Sequence, residues 1–455
     1  MKRPERSGSD LSWTQESRNR HTSRVALPAG GSAGDPESIT QEQLVLSLNF
    51  VADAGQLMLE SSSSVSEVVV RLRELLPALG LTGCSLDADL SSLVLSYWRP
   101  DLALPITTMR DVQVGSPLLH RLAGTSLLLD RLERGQISLA EATTRLAQLR
   151  NQPPPQRRFA WSALLLSVAG WVVFLYGPDP VTILVALAAT LITFPIAPLV
   201  RRVHLAELAG TFLSALVLAA VPNLAYAAGV PVAVGPAVVG ALFIYLPGRV
   251  LVSSVVDGLN NAPLSSLARG LQALVTAGTL AVGMLAGGAL GTGLGIRYVP
   301  NTAAVPLALS ALGAAIGILG VAIAWGMPRA QLLPAVAIGT GGWVVASLGS
   351  QLGTVSGWFV YAVAAGCVGA VGALTARLRD SAASIYTGVA ILPLVPGFTL
   401  YQGMLALADG HTAAGIATLG AATVTSLAVA VGVAAGLALT TDVYQVRIRL
   451  PHRRR

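Results

Sequence analysis

Two interrupted apolar segments constrain this chain more than any other feature. In the first, LFIYLPGRVLVSSVVDGLNNAPLSSLARG (242–270), an apolar run stops at Leu246-Pro247-Gly248, and a shorter one runs on to Asp257, Asn260 and Asn261. The second, ILPLVPGFTLYQGMLALADGHTAAGIATL (391–419), repeats this about 149 positions later, with Pro396-Gly397 in place of Pro247-Gly248 and Asp409 opposite Asn260. At the same offset Gly283 meets Gly432 and Gly287 meets Gly436. A Pro-Gly interruption reads as a kink or as the mouth of a half-helix, and paired interruptions in two halves point to the second, the sequence mark of a transporter's central site. The polar ends differ, since Asp257 aligns with Ala406.

The surroundings of these segments place them in a membrane. Of 455 residues, 53% are hydrophobic and 12% charged, where a soluble chain carries about a quarter charged. Apolar runs fall near 160–176, 181–200, 205–221, 232–247, 268–291, 303–325, 331–350, 357–376, 383–396 and 414–439, ten in all. The two runs before the Pro-Gly breaks fall short of the roughly 20 residues of a straight span. Arginines near span ends orient the chain. With Arg157 and Arg158 inside, Arg201, Arg202, Arg249, Arg329, Arg377, Arg379 and the basic tail are inside too, while Asp179 and Asp409 are outside. Five spans per half is an odd number, so the second half enters the bilayer from the opposite side. The expected fold is therefore an all-α polytopic protein of two inverted five-helix repeats (159–300 and 301–440), with both termini cytoplasmic.

Before the membrane part, residues 1–40 read as a disordered tail and 41–150 as a small cytoplasmic α/β domain. Ser64-x-x-Glu67 and Ser138-x-x-Glu141 open helices, Gly80 and Gly135 close helices, and the alternation in 84–114 predicts short strands. Pro77 sits awkwardly in a last turn. Residues 151–158, NQPPPQRR, are a stiff linker ending in a basic anchor, and 441–455 form a basic cytoplasmic tail. The first apolar-rich helix is amphipathic and late, so no signal peptide is expected.

No enzyme motif is found. There is no Walker loop, the five histidines are scattered, Ser126 and Ser138 lack a nucleophile elbow, and Cys84 and Cys367 lie far apart. No metal or cofactor is called for, and no aromatic-interleaved basic stripe suggests nucleic acid. The partners expected are a small amino acid, protons and the lipid bilayer; the oligomeric state is left open. Half-helix N-termini after Gly248 and Gly397 suit a carboxylate, while freed carbonyls and nearby acids suit an ammonium group. The substrate-binding candidates are Pro247, Gly248, Asp257, Asn260, Asn261, Pro396, Gly397, Gln402 and Asp409. Glu207, about one and a half turns into its span, and Asp257 are the candidates for proton coupling, because an acid at membrane depth is functional by default. Each also reads as an interfacial charge, and Arg269 reads as a cytoplasmic anchor. Gly283, Gly287 and Gly291, like Gly432 and Gly436, read as packing faces.

Taken in order, GQLMLESSSSVSEVVVRLRELLPALGL (55–81), ISLAEATTRLAQL (137–149), LPGRVLVSSVVDGLNNAPLSSLARG and LVPGFTLYQGMLALADG resemble the threonine/serine exporters of bacteria over most of 44–440. The serine run 61–64 departs from the glycine-containing turn expected there. The resemblance implies export of threonine and serine across the inner membrane, driven by the proton motive force. It leaves open another small solute, and beside it stands a membrane-anchored hydrolase with its chemistry in 41–150.

Overall fold

The computed structural model describes residues 40–98, 104–113, 115, 117–203, 205–260, 262–292, 304–353 and 356–449. The expected tail at 1–39, the end of the basic tail at 450–455, and Asn261 lie outside them.

The N-terminal unit forms where local signals are strongest. Helix α1 (Gln41–Glu60) opens on a capping box between Thr40 and Gln43. Helix α2 (Val65–Leu75) is capped by Ser64, whose side chain accepts from the Glu67 amide. Pro77 is accommodated because the chain tightens into a 3₁₀ turn (Leu76–Leu79) before Gly80 turns left-handed at φ 72°. Strands β1 (Cys84–Ala88), β2 (Ser92–Tyr97) and β3 (Ile106–Asp111) form one antiparallel sheet in sequence order, with Leu86 opposite Leu95 and Leu93 opposite Arg110. Leu86, Leu93, Leu95 and Tyr97 are buried. The sheet and α1 approach at Gly55, where a Cβ would lie 2.5 Å from Leu93 and 2.7 Å from Leu72. Helices α3 (Leu119–Glu133) and α4 (Leu139–Asn151, capped by Ser138) complete the unit. Arg71 joins α2 to α3 through Asp130 and Glu133. Burial, with Arg121 beside it, lowers the His120 pKa.

Among the described residues, eight helices are long and apolar enough to cross a membrane, and two bent pairs bring the number to ten. In order they are α5 (Arg157–Tyr176), α6 (Pro180–Thr193) continued by α7 (Ile196–Arg202), α8 (Glu207–Ala227), the pair α9 (Val234–Leu242) and α10 (Gly248–Leu259), and α11 (Pro263–Thr292). Then come α12 (Leu307–Ala324), α13 (Arg329–Gln351), α14 (Gly357–Leu378), the pair α15 (Ala383–Ala390) and α16 (Gly397–Ala408), and α17 (Thr412–Arg449). The bends are 49° in the first pair and 41° in the second. Each contains a 3₁₀ turn, Phe243–Tyr245 and Leu392–Leu394, directly before its Pro-Gly. Helix α17 carries on past residue 440 to Arg449, into the stretch read as a tail. Asp179 caps α6 by accepting from the Thr182 amide, as a turn residue should.

Close helix contacts run through glycine. A Cβ on Gly170 of α5 would lie 2.3 Å from the Gly317 nitrogen of α12. On α11, a Cβ on Gly287 would lie 2.3 Å from the Leu216 oxygen of α8; on α17, one on Gly436 would lie 2.1 Å from the Gly366 oxygen of α14. Such backbone approach is how membrane helices gain dispersion energy without a hydrophobic drive. Around the first break, Trp171 stacks on Phe243 at 4.3 Å, and Phe174 meets Trp343 edge-on at 4.6 Å.

Candidate functional site

The two breaks meet. A Cβ on Gly248 would lie 2.8 Å from Cγ2 of Val395, and one on Gly397 would lie 2.9 Å from Cδ1 of Leu246. Each Pro-Gly therefore packs against the residue two positions before the other's glycine. Gly248 and Gly397 are buried, and Pro247 and Pro396 are half-buried. Each proline is the N-cap of the helix that follows it, and no side chain caps either helix. Leucine at Gly248 should hold the breaks apart and destabilise the bundle by about 1–3 kcal/mol, the cost of overpacking. Adding Val395→Ala should recover part of that loss; thermal unfolding of the single and double variants in detergent checks it, and no recovery would argue against direct contact.

A second cluster lies where the N-terminal unit meets the bundle. Asp257 is 0% exposed and Arg269 is 4% exposed, with Nε and Oδ2 3.2 Å apart. Asp257 Oδ1 accepts from both the amide and the hydroxyl of Ser66, each at 3.0 Å. Arg269 Nη2 donates to the Ser63 carbonyl at 3.0 Å, and Arg249 Nη2 donates to the Ser62 carbonyl. The Ser384 amide, at the start of α15, donates to Glu67 Oε1 at 3.3 Å. Leu119 donates its amide to Trp325 at 2.9 Å, and Arg134 pairs with Asp380 at 2.5 Å. The serine turn 61–66 is thus clasped by charges from α10 and α11, and neighbouring contacts reach α15 and the α12–α13 corner.

The family models divide the chain between them. One, described as "Putative threonine/serine exporter", matches residues 49–291, more than half the chain. The chain belongs to the threonine/serine exporter family. A second model, described as "Threonine/Serine exporter, ThrE", matches 310–441. Among curated relatives, one from Mycobacterium tuberculosis, named a probable threonine/serine exporter, is 26% identical over 435 residues, covering 91% of this chain and 80% of the relative. The threonine/serine exporter of Corynebacterium glutamicum is 26% identical over 412 residues, covering 86% and 81%. No solved structure matches the chain.

In this family member the residues singled out by sequence separate into groups. Pro247, Gly248, Pro396 and Gly397 come together at the crossing of the breaks. Gln402 is half-buried on α16. Asn260 and Asp409 are the exposed C-caps of α10 and α16, and Asn260 donates its side chain back to the Val256 carbonyl. Asp257 is brought to the N-terminal unit. Glu207 is the first residue of α8 and exposed, not one and a half turns inside a span, because the chain leaves α7 through a non-helical corner before α8 begins. By sequence Arg249 counts among the inner-side charges and Arg269 reads as a cytoplasmic anchor. Both are instead buried, because the serine turn covers them. The signal for this was present in the serine run at 61–64, whose Ser62 holds a left-handed φ of 71° where glycine carries no strain.

Proposed function

We propose that this protein is a secondary exporter of small hydroxy amino acids, threonine and serine foremost, across the bacterial inner membrane. The observation that carries the reading is the mutual contact of two Pro-Gly breaks from opposite halves of the chain. Elements of the halves begin at a near-constant offset: Val234 and Ala383, Gly248 and Gly397, Pro263 and Thr412. With five spans in each half, that spacing supports an inverted repeat, whose halves rock about a site between the breaks. The reciprocal contacts of Gly248 with Val395 and Gly397 with Leu246 are what a two-fold axis in the membrane plane would produce. The N-terminal unit and both termini are then cytoplasmic. The relatives named as threonine/serine exporters support the choice of substrate.

The energy source in this reading is the proton motive force. Asp257 is the first coupling candidate. Its carboxylate holds both Arg269 and Ser66, so adding a proton weakens the clasp on the serine turn and links proton entry to opening at the cytoplasmic end. Glu207 is the second. Full-length protein in vesicles preloaded with labelled threonine tests the whole reading. Threonine and serine efflux should rise when the outside is made acidic, and a panel of other amino acids and dicarboxylates should leave more slowly. In Asp257→Asn the amide oxygen can still accept from Ser66 while the titrating group is gone. The stimulation by the gradient should then fall about tenfold, 1.4 kcal/mol. Undiminished stimulation there and in Glu207→Gln would remove both residues from coupling; export of neither hydroxy amino acid would sink the function.

A further inference from the structure

Arg249 is the buried charge that the clasp does not neutralise. Its neighbour Arg269 has Asp257 at 3.2 Å, whereas among the described residues Arg249 forms no such ion pair and feels Glu67 only through space, against the like charge of Arg269. The side chain is only 9% exposed, its Nη2 donates to the Ser62 carbonyl, and its Nη1 has no hydrogen-bond partner. A guanidinium out of water with an open N–H is costly unless an anion completes it.

The place of that open donor is informative. Arg249 is the second residue of α10, one position past the first Pro-Gly break, in the helix turn that no side chain caps. It lines a narrow cleft with Leu164, Leu246, Val321, Trp325 and Leu392, so α5, α12 and both breaks contribute walls. The Trp325 ring centre is 5.9 Å from the guanidinium carbon. From the second half, Gly388 of α15 leaves room for the arginine: a Cβ there would be 3.2 Å from Nε. A guanidinium with an open N–H in a cleft of mostly apolar lining is matched by a carboxylate, which its planar fork binds through two parallel hydrogen bonds. At present the cleft holds about 20 Å³, space for a single water and not for an amino acid.

We propose that Arg249 receives the carboxylate of the exported amino acid, and that the Ser62 carbonyl occupies part of this fork while the cytoplasmic end is closed. The proposal rests on the exporter reading above and names the group that reads its substrate. The neutral carbonyl is a weaker acceptor than a carboxylate, so an incoming amino acid displaces the serine turn. Ser62 itself, at φ 71°, gives up backbone strain on leaving. The N-terminal unit thus acts as a stopper that competes with substrate for a single cation.

The test compares L-threonine with L-threoninamide, which has the same side chain and ammonium group but no carboxylate. Binding to purified full-length protein is measured by calorimetry, and efflux by the preloaded vesicles. Wild-type protein should prefer threonine. Arg249→Gln should weaken threonine binding about 30-fold or more, the loss expected for one partner of a buried charge pair, and leave threoninamide little changed. Arg249→Lys should keep a reduced preference. Because the readout is a ratio within one variant, a purely structural role for Arg249 would weaken both ligands together and leave the ratio intact; that result overturns the proposal. Should Arg249→Gln not be recovered folded, phenylglyoxal labelling of Arg249 in wild-type protein decides. Protection by threonine and not by threoninamide supports the assignment, and equal protection or none overturns it. Absence of threonine and serine export by wild-type vesicles would overturn the functional reading together with this one, whereas an unchanged ratio beside active export overturns only the role of Arg249.

Discussion

Replacing Asp257 by alanine is expected to free the N-terminal unit from the helix bundle. The carboxylate is wholly buried and holds three groups at once: the Arg269 guanidinium, the Ser66 amide and the Ser66 hydroxyl. Removing one partner of a buried ion pair leaves the other charge unpaired and costs about 3–5 kcal/mol. Arg269 is then left buried beside Arg249, a like charge, with no carboxylate of its own. The remaining ties are Arg134 with Asp380, the Leu119 amide with Trp325, the Ser384 amide with Glu67, and the hydrogen bonds of Arg249 and Arg269 to the Ser62 and Ser63 carbonyls; none of them gives Arg269 a carboxylate in place of Asp257. Hydrogen exchange at the Ser66 amide should rise by two orders of magnitude or more, following about 1.4 kcal/mol per factor of ten, and the Gln152–Gln156 linker should become cleavable by protease. Unchanged protection at Ser66 would show that the clasp is held by something other than Asp257. Inside the bundle the same carboxylate ties α10 to α11 through Arg269, so these two helices should loosen with it while the glycine-packed helices stay folded.

The other large effect is expected in the bundle itself. Valine at Gly170 or at Gly436 should destabilise it more than substitution at any open glycine. At Gly170 the first added carbon would fall 2.3 Å from the Gly317 nitrogen and 2.8 Å from the Ile316 carbonyl carbon. At Gly436 it would fall 2.1 Å from the Gly366 oxygen and 2.7 Å from the Ala370 nitrogen. These neighbours are backbone, so no rotamer change relieves the clash and the helices must part. Overpacking costs about 1–3 kcal/mol where side chains can yield, and more is expected where they cannot. Gly420, with nothing within 4 Å, is the control: alanine there should stabilise slightly, by roughly 0.5–1 kcal/mol, as in any helix interior. Thermal unfolding in detergent, followed by size-exclusion profile, separates the two classes. Equal melting temperatures for Gly170→Val and Gly420→Ala would contradict the close crossing of α5 and α12.

What the amino-acid order determined by itself is local or periodic. Ten apolar runs become eight helices long and apolar enough to cross a membrane and two bent pairs, because backbone in hydrocarbon must satisfy its own hydrogen bonds and a proline cannot. Ser64 and Ser138 cap helices because a hydroxyl within three residues of a free amide finds it without help from the rest of the chain. The strands at 84–111 follow from alternation, and Gly80 and Gly135 from the left-handed turns they must make.

Only the tertiary structure decided which charges are buried. Arginine at the start of an apolar run looks the same in sequence whether it reaches for water or for a carboxylate, and so Arg269 reads as an anchor and Arg249 as one more inner-side charge. Their partners, Ser62, Ser63 and Asp257 with Ser66, sit up to 206 positions away. Glu67 likewise reads as half of a capping box, yet it leaves its own helix to accept from Ser384, 317 positions on. Burial of a charge is set by what covers it, and that cover comes from a separate part of the chain. The Pro-Gly breaks lie between these cases. Their existence is written in the sequence, since proline and glycine interrupt a helix wherever they stand. That the two interruptions lie against each other depends on ten helices having packed.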